Sequence, residues 1–319
     1  MNPLKLAAPC KDYLWGGTKL KTEYHQQSTA DKLAESWELS CHEDGLSVIA
    51  EGEFQGWTLK EYIARAGEKV LGTDCGKFEQ FPILVKLIDA KDRLSVQVHP
   101  NNEYAFKNEG GYGKTEMWYV VENEPGASLF YGFKKSISKE EFEERIRSNT
   151  LLEVLNKVQV HPGDVFYIES GTLHAIGEGI LIAEIQQNSN CTYRIYDYAR
   201  VGADGKPREL HIAKALDVTN LEPSPARTAN ALEQFTGYSR TQLASCEYFT
   251  VYEMEVTTEA PMNADTTSFH SILCLDGQAA ICNAEGELLS IEKGGSIFVP
   301  AGMGKYTIKG KCKILFTRV

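Results

Sequence analysis

Pro162-Gly163-Asp164-Val165-Phe166-Tyr167-Ile168-Glu169-Ser170-Gly171-Thr172-Leu173-His174 carries a Gly turn, an apolar strand, a small-residue turn and the start of another strand. The apolar run is short, rich in β-branched and aromatic residues, and bounded by turn formers, which is the pattern of a strand. The same order recurs at Lys293-Gly294-Gly295-Ser296-Ile297-Phe298-Val299-Pro300-Ala301-Gly302-Met303-Gly304-Lys305. There Lys305 takes the place of His174. A strand–turn–strand unit used twice predicts two related β-barrels, the first set apart by its histidine.

Similar runs lie on either side. Pro82–Ile88, Leu94–Val98, Met117–Val121 and Gly179–Ala183 are apolar and end in turn residues, as are 248–256, 271–275, 296–300 and 312–317. Many short strands with Gly-rich turns predict a sandwich or barrel. Helical signals are few. Thr58-Leu59-Lys60-Glu61 is a capping box opening a helix to about residue 70, and Ser138-Lys139-Glu140-Glu141 opens another. A third runs from His211 to about Val218. These are excursions from a β framework and do not alternate with strands as a parallel α/β sheet requires. Residues 221–237, with Pro223 and Pro225, read as a linker. The expected domains are therefore 1–220, a first barrel with N-terminal and helical excursions, and 238–319, a second barrel without metal ligands.

With 319 residues the chain has room for two such cores. A net charge of −11 with no Lys/Arg cluster argues against a nucleic-acid partner. No stretch approaches the roughly 18 apolar residues of a membrane helix, and Met1-Asn2-Pro3-Leu4-Lys5 has no signal-peptide core. The expectation is a cytoplasmic protein. Its eight cysteines include no Cys-x-x-Cys pair, so a cysteine zinc site is not expected, and buried reduced thiols are.

Gln97 and His99 are two apart on a predicted strand, so both side chains leave the same face while Val96 and Val98 leave the other. In a barrel that second face opens on a ligand cavity. Glu116 begins the next strand, after Gly110-Gly111-Tyr112-Gly113, and His174 begins a later one. Imidazole, carboxylate and amide donors suit zinc, iron or manganese. The remaining histidines, His25, His42, His161, His211 and His270, lack such settings and read as structural or exposed.

The order Gln-x-His-Pro, Lys-x-Glu and Pro-Gly-Asp-x5-Gly-x-x-His resembles the cupin barrel pattern. The likeness becomes closer along Phe81–Ala90, Leu94–Asn102, Gly113–Tyr119, Gly171–Ala175 and Gln186-Gln187-Asn188-Ser189-Asn190-Cys191-Thr192-Tyr193-Arg194-Ile195-Tyr196-Asp197, with Trp15-Gly16-Gly17 and Glu35-Ser36-Trp37-Glu38. Over most of residues 10–215 the chain resembles the type I mannose-6-phosphate isomerase family in its compact bacterial form. The resemblance implies a mainly β fold of two cupin-type (jelly-roll) barrels with a few short helices, only the N-terminal one binding metal. It implies one Zn2+ per chain on Gln97, His99, Glu116 and His174. It also implies active-site basic residues at Lys114 and Arg194 and an active-site carboxylate at Glu184. Longer relatives carry His-Lys-Pro-Glu where this chain has Gly113-Lys114-Thr115-Glu116, so a proton-transfer role for that His does not carry over.

The implied reaction interconverts mannose 6-phosphate and fructose 6-phosphate through an enediol, with a phosphorylated hexose as the partner. Lys114, two residues from Glu116, points into the same cavity if the segment is extended, and either orients an oxygen or exchanges a proton. Glu184 is either the general base or an ion-pair partner of Arg194. Arg194, in turn, binds phosphate or a sugar oxygen, or bridges to Asp197 or Glu184. Trp15 and Trp37 either line the sugar pocket or pack the core. Two other readings compete: an iron-dependent cupin oxygenase at the same ligands, disfavoured by Gln97 where many such enzymes have His, and a non-catalytic sugar or metal sensor.

Overall fold

Antiparallel strands carry most of the regular structure. The computed structural model describes residues 1–201, 205–225 and 231–319. This stretch divides into two compact units, Met1–Lys11 with Thr18–Leu87 and Ala229–Val319, and Asp12–Gly17 with Ile88–Thr228. The single cut expected at 221–237 differs from this division. The N-terminal strand Leu4–Ala7 pairs with Ser296–Val299, Leu4 opposite Phe298. That pairing groups the beginning of the chain with its end. The strand Leu232–Phe235 forms inside the expected linker, whose residues 226–230 lie outside the described residues.

In the second unit, five strands order as Leu155–Gln159, Ser128–Phe133, His174–Ala175, Val96–Val98 and Tyr193–Tyr196. Glu116–Asn123 runs between Val165–Ile168 and Ile180–Gln187, antiparallel to both. Val96, Val98, Leu173, Ala175, Tyr193 and Ile195 belong to one buried apolar cluster with Phe133, Phe142 and Leu155. Val96 and Val98 are thus spent on the core, which leaves the positions between and beyond them for the opposite face. The helices Lys139–Arg147 and Ile212–Val218 contribute Phe142 and Ala215 to that cluster.

In the first unit, a 10-stranded sheet includes the long strands His270–Asn283 and Gly304–Arg318 and encloses a core of Ile272, Ile297, Ile308 and Ile314 among others. The helix Leu59–Ala66 carries the full capping box, with Thr58 accepting from Glu61 N and Glu61 accepting from Thr58 N. Trp37 is fully buried in this unit. Its Nε1 donates to Glu35, and Lys86 Nζ lies 4.9 Å above its ring and 3.5 Å from Glu35. All eight cysteines are free thiols. Among the described residues no helix is long and apolar enough to cross a membrane.

Both copies of the strand–turn–strand unit adopt the same backbone. Gly163 and Gly294 open the strands Val165–Ile168 and Ser296–Val299 at φ 89° and 83°, and Gly171 and Gly302 close them at 90° and 76°. That left-handed region is costly for any residue with a Cβ, which is why glycine recurs at both ends of both copies.

Candidate active site

His99, Glu116 and His174 are brought together, each buried, with one ligand atom apiece inside a 4.8 Å span. Glu116 sits mid-sheet, opposite Ile168 on one side and Gln186 on the other, so its backbone is held from both edges. His174 lies opposite Tyr131 and Gln97. His99 leaves the end of the Val96–Val98 strand, two residues from Gln97.

The second nitrogen of each imidazole decides what the first can do. His99 Nδ1 is 2.9 Å from the Cys191 carbonyl and His174 Nδ1 is 2.9 Å from the Thr172 carbonyl. A carbonyl only accepts, so both Nδ1 atoms carry the proton, and in the neutral ring each Nε2 presents a lone pair. Those lone pairs face Glu116. His99 Nε2 is 3.7 Å from Oε2 and His174 Nε2 is 3.5 Å from Oε1. Burial above all pushes the His174 pKa down to about 3, so the ring is neutral near pH 7. His174 Nε2 is buried with no hydrogen-bond partner among the described residues. Electron-pair donors converging on one point, with their tautomers set from behind, fit a divalent cation. The separations are close to the roughly 3.4 Å between ligands at about 2.0–2.1 Å from one tetrahedral ion.

Lys114 Nζ lies 2.6 Å from Glu116 Oε2 and 3.4 Å from Glu184 Oε1. Glu184 Oε2 accepts from Trp118 Nε1 at 2.9 Å, and the Trp118 ring stands edge-on to His174, centroids 5.1 Å apart. Glu116 and Trp118 alternate on their strand and so share a face, which the Lys114 ammonium reaches from the segment just before it. The sequence reading stopped at Lys114 and Glu116; the strand's period-two spacing extends it to Trp118.

Gln97 is half-buried between His174 and Arg194 in the register. Arg194 does not take either ion-pair partner weighed from sequence. Asp197 is held by Arg200 and by Arg208, the latter through bonds of 2.7 and 2.6 Å, while Glu184 faces Lys114 and Trp118. Arg194 Nη1 donates to the Glu209 carbonyl at 3.0 Å, and its Nε is buried with no hydrogen-bond partner among the described residues. Trp15 is buried against Tyr13, centroids 5.7 Å apart. Sequence reasoning also missed the carbonyls of Cys191 and Thr172, since any residue supplies a carbonyl and its direction is set only by the fold.

Two family models match the chain: phosphomannose isomerase type I, catalytic domain, over residues 4–129, and mannose-6-phosphate isomerase, cupin domain, over 239–319. The mannose-6-phosphate isomerase of Streptococcus mutans is 37% identical over 98% of this chain and 97% of its own length. Mannose-6-phosphate isomerase ManA of Bacillus subtilis is 36% identical over 100% of this chain and 99% of its own. The crystal structure of the mannose 6-phosphate isomerase from Bacillus subtilis superposes with a TM-score of 0.93 at 34% identity, covering 100% of both chains. A phosphomannose isomerase mutant from Salmonella typhimurium, at 17% identity and a TM-score of 0.81, shares the fold.

Proposed function

This chain belongs to the type I mannose-6-phosphate isomerase family, and we propose that it is a metal-dependent aldose–ketose isomerase interconverting mannose 6-phosphate and fructose 6-phosphate through an enediol. What carries the metal-dependent reading is the convergence of two imidazole lone pairs on a buried carboxylate that is also bridged by Lys114 to Glu184.

His99, Glu116 and His174 would hold the cation, with Gln97 a weaker fourth donor on the neighbouring strand. Zinc, one per chain, suits two neutral imidazoles and a carboxylate. When bound it supplies Lewis-acid polarisation of the sugar's carbonyl and hydroxyl oxygens.

The isomerisation removes a proton from C2 of the aldose, returns one at C1, and moves a proton between O1 and O2. No atom or electron is gained or lost overall. Glu184 is the base in this reading: its Oε2 is fixed by the Trp118 indole and its Oε1 is turned toward Lys114. Lys114 orients a sugar oxygen and opposes the negative charge that builds on it as the enediolate forms. Arg194, half-buried with its Nε unsatisfied, binds a phosphate or sugar oxygen. Trp15 lines the sugar pocket.

The test is a coupled assay for fructose 6-phosphate formed from mannose 6-phosphate, with and without chelator. Turnover should vanish on chelation and return with added zinc. Full turnover in excess chelator would sink the metal-dependent mechanism while leaving family membership intact.

A further inference from the structure

The lysine of this site stands on a segment that is itself neither strand nor helix. Gly113, Lys114 and Thr115 precede the strand Glu116–Asn123 and lie outside any strand or helix. Their amides still need partners, because buried N–H groups left unpaired are costly. Lys114 N donates to the Pro100 carbonyl at 3.0 Å. The other two amides are taken by side chains. Gly113 N donates to Asn102 Oδ1 at 2.9 Å, and Thr115 N donates to Gln187 Oε1 at 2.8 Å. Gln187 Nε2 then donates to the same Asn102 Oδ1 at 2.9 Å, which closes the loop of bonds. Gln187 is itself buried, and its own N–H donates to the Thr115 carbonyl at 3.0 Å. Gly113 has no room for a side chain: a Cβ would meet the backbone of Pro100 and Asn101 at 2.5 and 2.4 Å.

We propose that Gln187 and Asn102 are positioning residues that hold the Gly113–Thr115 backbone so that the Lys114 ammonium reaches Glu116 and Glu184. The inference rests on the isomerase reading for its effect on turnover. A lysine stem has four flexible carbons, so where its ammonium dwells depends on how firmly its Cα is held. The chemistry of the two amides is matched to the task. Gln187 must accept from Thr115 and donate to Asn102, which a carboxamide does and a carboxylate cannot. Asn102 Oδ1 only accepts, so aspartate can replace it in this network and leucine cannot.

Asn102→Leu and Gln187→Ala should each lower kcat on the order of 10- to 100-fold, the scale expected for a misplaced catalytic group. Metal content should stay at wild type. In the metal-free protein, amide hydrogen exchange over residues 113–115 should quicken in both. The two losses should be less than additive in the double variant, since both act through one segment. Asn102→Asp should return kcat and exchange toward wild type. If Gln187→Ala fails to fold, Gln187→Glu keeps the Thr115 bond, loses the donor to Asn102, and should show an intermediate effect. Tyr306→Phe, far from this network in sequence and in the other unit, is the control for general destabilisation. Wild-type kcat and wild-type exchange in Asn102→Leu would overturn the proposal. So would a loss that merely follows the folded fraction, as in Tyr306→Phe. A wild-type protein with no turnover of mannose 6-phosphate would overturn the isomerase reading alone, because the exchange measurement still decides whether the segment is held by these two side chains.

Discussion

In His99 and His174 the nitrogen that faces away from the site decides what the other nitrogen can do. Each Nδ1 proton is committed to a carbonyl, so each Nε2 lone pair is aimed before any ion arrives. A ring that merely sat nearby would be free to flip or to protonate. Elemental analysis should therefore find metal lost from His99→Ala and from His174→Ala, and wild-type occupancy in both would mean other ligands hold the ion. Arg194→Ala should behave differently. Its side chain donates to the Glu209 carbonyl, while the bond to His211 is made by its backbone amide and survives the substitution, so metal should stay while turnover or affinity for the sugar phosphate falls by at least about tenfold, the scale of one charge-assisted hydrogen bond. Unaltered kinetics would return Arg194 to a structural role. At this scale the sequence was informative about residue type and spacing, as for Lys114 and Glu116. It was silent on Cys191, because a carbonyl has no sequence signature.

Among the elements, the strand Glu116–Asn123 does the most to position the site. It is paired on both sides, and its alternation delivers Glu116 and Trp118 to one face while Met117 and Tyr119 take the other. Alternation and turn chemistry are local properties, which is why longer strands such as Ile83–Ala90 and Glu116–Asn123, and three helices, were readable in advance. The helix Asn102–Asn108 was missed although Asn101 caps it, accepting from Tyr104 N. Pro100-Asn101-Asn102 reads equally well as a turn, and seven residues give periodicity little to work with. The Thr58 cap, by contrast, was legible and carries a prediction. Thr58→Ala removes the acceptor for Glu61 N and should cost about 1 kcal/mol of stability in urea unfolding. An unchanged midpoint would show that tertiary packing alone holds Leu59–Ala66.

For the whole molecule, buried ionisable groups set how stability responds to pH. His270 is buried beside Tyr306, and burial, aided by Arg318 and opposed by Asp265, pushes its pKa from 6.5 down to about 4. Between those values the unfolded chain binds a proton that the folded chain refuses, so stability falls as pH drops from 6.5 to 4. Glu38 has the opposite sign. Burial, partly offset by Ser36, raises its pKa from 4.5 to about 8, so the folded chain keeps a proton that the unfolded chain has released. Its contribution is present below pH 4.5 and is lost as pH rises to 8. Urea unfolding at stepped pH should show a flatter acid limb in His270→Gln and a flatter alkaline limb in Glu38→Gln; wild-type slopes in both would assign the dependence elsewhere. From sequence His270 read only as structural or exposed and Glu38 only as part of a motif, since burial is not a property of a residue's neighbours along the chain. The same reason separates what was local from what was tertiary in this protein. Local pattern alone determined that the chain is mainly β, that a strand–turn–strand unit is used twice, and that two histidines and a glutamate stand at strand boundaries with the chemistry of metal donors. Only the tertiary structure decided that Leu4–Ala7 pairs with Ser296–Val299, that Asp197 belongs to Arg200 and Arg208, and that Asn102 and Gln187 support Lys114. Those outcomes depend on which distant segments meet, and no periodicity encodes that.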